Sequence, residues 1–356
     1  MINDIFSSDH EQVVFCHDEA SGLKAIISLY STALGPAMGG TRFYPYSSSQ
    51  DALDDALRLS KAMAYKNSLA GLDHGGGKAV IIGDPDKHKS EIVLRAYGRF
   101  IHGLSGRYLT ACDVGTFSPD MDVVARETPY VTGRTVAQGG AGDSSILTAW
   151  GVFQGMRAAA AHRWGSTSLS GKRVAIAGAG KVGSRLTELL VEADAVVTIT
   201  DPSQAAIDAL AGRYPHITVV GSTDELQSVD MDIYSPCAMG GAIDRSSLAA
   251  LNAEIICGGA NNQLAEPGID QEIASKGVLY APDYCVNAGG VIQIADEVHG
   301  FDFERAKVRA TGIFDTTLRV LETAASTGLT TAATADRLAE ERMAGVSRLR
   351  SIDRGA

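Results

Sequence analysis

The stretch "RVAIAGAGKVGSRLTELLVEA", residues 173–193, decides the fold. Arg173–Ala177 reads as a short apolar strand, and the run from Lys181 continues as a helix. Between them Gly178, Gly180 and Gly183 fit the spacing G-x-G-x-x-G, in the strand–turn–helix context that gives this spacing its meaning. The first glycine permits a tight turn, the second lets backbone approach a pyrophosphate, and the third lets helix and strand pack closely. Lys181 and Val182 complete the turn, where the helix start presents unpaired N–H groups to an anion. Asp201 ends the next apolar run, "AVVTITD", twenty-three positions after Gly178. A carboxylate there accepts from a ribose 2′-hydroxyl and repels a 2′-phosphate. No arginine follows among Pro202, Ser203 and Gln204, so the cofactor expected is NAD rather than NADP.

Working outward, six short apolar runs follow residue 170: "RVAIAG", "AVVTITD", "ITVV", "MDIYSPC", "EIICGG" and "GVLYAPD". They alternate with helical patterns, which predicts βαβ units and a parallel sheet. A helix over about 146–163 leads into this half, and residues 303–352 are helical in pattern with a break near "STGLTT". The glycine-rich "GRTVAQGGAGDSS", 133–145, is the expected connection between two domains. In the first half, "KAIISLYS" (24–31), "KAVIIG" (78–83) and "RYLTACDVG" (107–115) read as strands. Helices are expected over 50–70 and 90–102, the first opened by a capping box of Ser47 and Gln50. "LGPAMGGTRFYP" reads as an irregular turn.

Composition narrows the function classes. The 356 residues suffice for two domains, and a net charge of −11 with no basic run argues against a nucleic-acid or anionic-membrane partner. The N-terminus lacks the pattern of a signal peptide, and no apolar run spans a bilayer. Five scattered cysteines without a CxxC pair favour reduced thiols in a cytoplasmic protein over a disulfide framework or a metal site.

"GLDHGGGKAV", 71–80, then raises the question of Lys78. It is no phosphate-binding-loop lysine, because Leu72 stands six positions before it and Ala79 follows. The glycines are expected to bring backbone close and leave room for a ligand. Lys66 lies on an apolar helical stripe with Leu59, Ala62, Met63, Leu69 and Ala70, either snorkelling or held in a site. Two ammonium groups in one dry pocket would each be pushed towards the neutral form, suited to act as a base. Asp113, in "TACDVGT", stands where a strand runs into a glycine turn, as a site residue or as a simple turn former.

Taken together, "GPAMGGTRFYP", "AMAYKNSLAGLDHGGGKAVI", "TACDVGT", "YVTG", "GAGKVG", "SPCAMGGAI" and "GGANNQL" occur in one order across the chain. In this the sequence resembles the amino-acid dehydrogenases of the glutamate/leucine/phenylalanine/valine family. The resemblance implies an α/β chain of two domains: a mixed αβ substrate and oligomerisation domain over 1–135 and a Rossmann-type doubly wound NAD domain over 148–320. It also implies an active site in the cleft and a tail over about 325–356 packing back on the first domain. It makes Lys78 the catalytic lysine that activates water, Asp113 its proton-handling partner, and Lys66 the grip on the substrate carboxylate, beside Gly39 and Gly40. Asn262 falls near substrate and nicotinamide, and Thr148, Pro236, Cys237 and Ala238 at the nicotinamide end. His74 is expected to be structural rather than the base of a hydroxy-acid dehydrogenase.

Relatives acting on glutamate carry a lysine where this chain has Met38, so an apolar substrate side chain is expected, in a pocket of Met38, Ala111, Val291 and Ile294. Overall likeness favours the phenylalanine-specific members, with leucine or valine as the alternative. The implied partners are an amino acid, its 2-oxo acid and further copies of the chain.

Overall fold

The computed structural model describes residues 9–349, which divide into two units. The first runs to Gly142 and takes in Gln293–Phe303 and the chain from Ala339. The second holds Asp143–Ile292 and Glu304–Leu338. The crossing at 142/143 lies within the glycine-rich stretch. Residues 325–338 of the expected returning tail belong to the second unit, held there by Thr330 Oγ1 donating to Asp270 (2.7 Å) and Tyr284 OH donating to Asp336 (2.5 Å). Beyond Leu338 the tail belongs to the first unit, where Tyr65 OH donates to Glu340 and Ser68 Oγ to the Ala339 carbonyl. Residues 1–8 and 350–356 of the expected ranges lie outside the described residues.

The first unit is built on a five-stranded mixed sheet. Its strands are β1 (Gln12–Asp18), β2 (Leu23–Ser31), β3 (Ala37–Tyr44), β4 (Gly75–Ile82) and β5 (Tyr108–Cys112), in the order β1-β2-β4-β3-β5. β2 is antiparallel to both β1 and β4, whereas β3 runs parallel to both β4 and β5. Alternation sorts the side chains. Ile26 and Val80 meet Ala52, Leu53 and Ala56 of the helix Ser49–Leu69, while Ile27, Ala79 and Ile81 meet Val93, Tyr97 and Ile101 of the helix Glu91–Gly103.

Three local expectations change. "AMGGTRFY" is strand β3 rather than a turn, because its glycines let it lie against both neighbours. β4 starts at Gly75, not Lys78, so the glycine run is itself strand. The helix before β4 in the chain starts one residue later than the capping box implies. Ser48 is the N-cap and accepts from Asp51 N at 3.0 Å, while the Ser47 hydroxyl turns to the Asp51 carboxylate.

The second unit carries the six expected strands, all parallel: β6 (Arg173–Ala177), β7 (Val196–Thr200), β8 (Thr218–Val219), β9 (Ile233–Pro236), β10 (Ile255–Ile256) and β11 (Leu279–Tyr280). Their order, β11-β10-β9-β6-β7-β8, reverses between β6 and β9. That is the doubly wound dinucleotide-binding order, with its ligand crevice at the carboxyl ends of the two central strands. Val152, Met156 and Ala159 of the helix Ser145–Trp164 pack with Val174, Ile176 and Ile199 in one core, and Tyr234, Ile256, Leu248 and Ile273 form a core of their own.

A Cβ on Gly76 would lie 2.4 Å from the Ala64 Cβ and from the Ser60 carbonyl. Gly76→Ala is therefore expected to cost about 1–3 kcal/mol. Gly212→Ala, on an exposed helix where a Cβ meets nothing within 4 Å, should gain about 0.5–1 kcal/mol. Urea unfolding of the two variants checks both signs.

Candidate active site

Lys78 is the fourth residue of β4 and is only 6% exposed. Its Nζ donates to Asp113 Oδ2. Asp113 follows directly on β5, and β3 lies between the two strands. The register Thr41↔Ala79 and Gly40↔Ala111 puts Gly40 in the path. A Cβ there would stand 2.9 Å from the Asp113 Cβ and 2.4 Å from the Cys112 carbonyl. Only a residue without a side chain lets the ammonium reach across.

Asp113 is held from its own turn as well. Its N–H donates to Thr116 Oγ1 at 2.9 Å, and that hydroxyl donates to the Thr41 carbonyl at 2.7 Å. Burial by itself pushes the Asp113 carboxyl up, but the Lys78 ammonium and then the Arg42 guanidinium pull it down, to a net position below the ordinary carboxylate range.

Arg42 was not singled out by the sequence. From β3 its Nε lies 3.5 Å from Asp113 Oδ2, and its Nη1 lies 2.9 Å from Asp55 Oδ2 on the helix Ser49–Leu69. Tyr46 OH donates to the same Asp55 oxygen at 2.7 Å. The only signal was alternation: once β3 is a strand, Met38, Gly40 and Arg42 share a face. Asn67 was also missed. It donates to the Gly75 carbonyl at 2.7 Å and ties the helix to the start of β4.

Met38 and Ala111 sit on β3 and β5, 0% and 4% exposed. Lys66 is half-buried on the helix Ser49–Leu69, and His74 is half-buried just before β4. Val291 and Ile294 are half-buried on the helix Gly289–Asp296, Val291 counted with the second unit and Ile294 with the first. The glycines do not leave room in the way expected. A Cβ on Gly39 would meet the Gly77 carbonyl at 1.8 Å, one on Gly75 the Ser31 carbonyl at 1.9 Å, and one on Gly77 the Tyr108 ring at 2.7 Å. The space is already filled by neighbouring strands and helix.

In the second unit the turn 178–183 shows three separate uses of glycine. Gly178 has φ +115°, and a Cβ there would press on Ala238 at 2.9 Å. A Cβ on Gly183 would strike the Gly178 carbonyl at 1.9 Å, whereas one on Gly180 meets nothing within 4 Å. The helix Lys181–Glu192 starts at Gly180 without a side-chain cap, leaving its first N–H groups to an incoming anion. Lys181 is exposed there and Val182 half-buried. Asp201 braces the turn, its Oδ2 accepting from Ala179 N and its Oδ1 from Ser203 N, both at 2.7 Å. Cys237 and Ala238 follow β9 across the switch from β6. Thr148 Oγ1 donates to the Ser144 carbonyl at 2.9 Å, and exposed Asn262 has φ +52°, a left-handed conformation asparagine tolerates. These residues fit a dinucleotide. The open side of Gly180 is where the pyrophosphate would lie, and the Asp201 carboxylate would stand at the ribose end.

Gly180→Ala is expected to weaken NADH binding about tenfold or more, a loss of ~1.4 kcal/mol, with the melting temperature unchanged. Gly183→Ala should instead lower the melting temperature. Fluorescence titration with thermal melts separates the two, and equal NADH affinity in Gly180→Ala would refute the placement.

Residues 10–130 match the family model described as Glu/Leu/Phe/Val dehydrogenase, dimerisation domain. Residues 139–212 and 203–335 match that of glutamate/leucine/phenylalanine/valine dehydrogenase. A valine dehydrogenase of Streptomyces virginiae is 57% identical over 347 residues, which cover 96% of this chain and 97% of the relative. A leucine dehydrogenase of Bacillus subtilis (strain 168) is 48% identical over 343 residues, covering 96% and 94%. Among solved structures, the L-tryptophan dehydrogenase from Nostoc punctiforme is similar with a TM-score of 0.87 at 42% identity, covering 98% of this chain and 99% of that one. The expected phenylalanine specificity finds no support among these names. With both family models matched along nearly its whole length, the chain belongs to the glutamate/leucine/phenylalanine/valine dehydrogenase family.

Proposed function

We propose that this chain oxidatively deaminates branched-chain L-amino acids, valine or leucine, to the 2-oxo acid and ammonia. The coarser activity follows from the family: an NAD-dependent amino-acid dehydrogenase, acting on a CH–NH2 group. One observation carries the chemistry, the buried Lys78 ammonium held on Asp113. The branched-chain choice is supported by the valine and leucine dehydrogenases at 57% and 48% identity and by Met38, a buried apolar side chain with no cation to match a second substrate carboxylate.

The turn 178–183 and Asp201 would hold NAD, which would supply a hydride acceptor for the oxidation at the substrate Cα. The chain's own residues handle charge and protons. Lys66 Nζ holds the substrate carboxylate. Asp113 Oδ2 lies beside the substrate nitrogen and stabilises the positive charge that develops there. Lys78 must lose a proton before it can accept one, and Asp113 is the acceptor within hydrogen-bond reach. Nζ then takes a proton from the water that adds to the imine carbon. Asp113 gives its proton to nitrogen, the hydroxyl proton passes to the Asp113 carboxylate so freed as the C–N bond breaks, and the 2-oxo acid and ammonia leave. Asn262, Thr148, Cys237 and Ala238 would contact the nicotinamide end.

The reading extends to assembly and location. The description of the N-terminal family model as a dimerisation domain supports a homo-oligomer, as does Phe15, 60% exposed on the edge strand β1. None of the described helices is long and apolar enough to cross a membrane, and the five cysteines carry no disulfide, in keeping with work in the cytoplasm.

NADH formation should be compared across L-valine, L-leucine, L-phenylalanine, L-tryptophan and L-glutamate. Valine or leucine is expected to lead the aromatic substrates by about tenfold or more in kcat/KM. An aromatic preference would overturn the branched-chain reading. Lys78→Ala should abolish turnover with NADH affinity intact, and a retained kcat would remove Lys78 from the chemistry. Asp201→Ser should narrow the preference for NAD over NADP, and unchanged selectivity would take Asp201 out of the ribose site.

A further inference from the structure

We propose that Arg42, anchored by Asp55, is a positioning residue for Asp113, holding that carboxylate ionised and aimed for the proton transfers of deamination. The inference rests on the amino-acid dehydrogenase reading above. Its ground is the geometry on β3 and the helix Ser49–Leu69. The guanidinium spans two carboxylates through different nitrogens, Nη1 at 2.9 Å from Asp55 and Nε at 3.5 Å from Asp113. Asp55 is fixed in turn by Tyr46 OH at 2.7 Å and by Arg58 at 2.7 Å. Held at Nη1 by a carboxylate that is itself fixed, the guanidinium presents the charge of its buried Nε to Asp113 as an ion-pair contact rather than a hydrogen bond.

Lys78 alone would not do this. It is the group whose proton must leave and return, so its charge changes during turnover, whereas a guanidinium stays charged throughout. While Lys78 is neutral its proton sits on Asp113, and Arg42 is the cation left beside that carboxyl. It favours return to the ionised form as the proton passes on to the substrate nitrogen. The charges facing Asp113 are Lys78 from β4 and Arg42 from β3, with Asp55 behind Arg42. The other titratable groups near it are the Tyr108 phenol and the Cys112 thiol, each pushed up by burial to about 12. Neither competes over the working range. Arg42 and Lys78 both draw the Asp113 carboxyl down, so loss of Arg42 moves it up.

The test is the acid limb of kcat/KM against pH in Arg42→Met, Arg42→Lys and Asp55→Asn, each beside the unmodified enzyme. Arg42→Met should lower kcat about tenfold and shift the acid limb upward by about one pH unit. KM for the amino acid should change less than kcat. Arg42→Lys keeps the charge but cannot bridge both carboxylates, and should restore most of the limb and part of kcat. Asp55→Asn leaves the charge and loosens its aim, so kcat should fall with the limb nearly in place. In an Asp113→Asn background, Arg42→Met should add less than about twofold.

An unmoved limb in Arg42→Met, or losses that simply multiply with those of Asp113→Asn, would assign Arg42 to packing and overturn the proposal. If Arg42→Met does not fold, Arg42→Lys and Asp55→Asn decide it by the same limb and kcat. No NADH from any amino acid with the unmodified enzyme would instead refute the parent reading.

Discussion

An ammonium as buried as that of Lys78 survives in a folded protein only with a carboxylate against it, since an uncompensated buried charge costs several kcal/mol. Much of the first unit can be read as the means of bringing that carboxylate to it. Lys78 lies on β4 and Asp113 beyond β5, so the strand between them must carry no side chain at the crossing point, and Gly40 stands there. β3 must also lie close to β4 along its first half, which Gly39 allows by sitting against the Gly77 carbonyl. Asp113 needs a fixed backbone, supplied by Thr116 and the Thr41 carbonyl. Each requirement follows from one ion pair.

The two units use glycine for opposite ends. Around Lys78 the absent side chains are replaced by protein, and strand and helix atoms fill the space to contact distance. That rigidifies the floor under the ammonium, so its direction is set by backbone rather than by rotamer choice. At the dinucleotide turn Gly183 and Gly178 serve packing in the same way, but Gly180 faces open space. An anion can then approach backbone N–H groups directly. The same residue type thus makes one site dense and leaves the other open, and sequence spacing alone cannot tell the two apart.

That difference explains what could be read in advance. The central strands of the second sheet are legible because parallel strands buried on both faces are continuous apolar runs, and the glycine fingerprint ties them to a function. β8, exposed at the edge, shows only as the apolar run "ITVV". β3 was not legible: Gly39-Gly40 after Gly35-Pro36 carries the signature of a turn, and only contact with two neighbouring strands makes it a strand. A turn assigns Arg42 no face, whereas strand β3 puts it on the face of Gly40. Asp55 was hidden for a similar reason, as one acid among several on a polar helix surface. Lys78, Asp113 and Lys66 emerged only together, through resemblance. Overall likeness points to phenylalanine, and a single apolar contact such as Met38 or Ala111 discriminates too weakly between apolar side chains to correct that.

Charge alternates outward from the buried lysine: Lys78, Asp113, Arg42, Asp55, Arg58. The two ends differ sharply in exposure, Lys78 at 8% and Arg58 at 57% of side-chain surface. Such a chain invites reading as a proton path to solvent, but the chemistry forbids it. A guanidinium does not give up its proton at any pH where the protein works, so no proton passes Arg42 in either direction. What the chain transmits is electrostatic: each charge is satisfied by the next, and the series ends where water takes over the solvation. In the proposed mechanism, protons gained by Asp113 would therefore leave by Lys78, the substrate nitrogen or a water molecule. That would confine proton traffic to the reacting atoms, and a permanent cation would suit the outer side of Asp113 better than a second lysine.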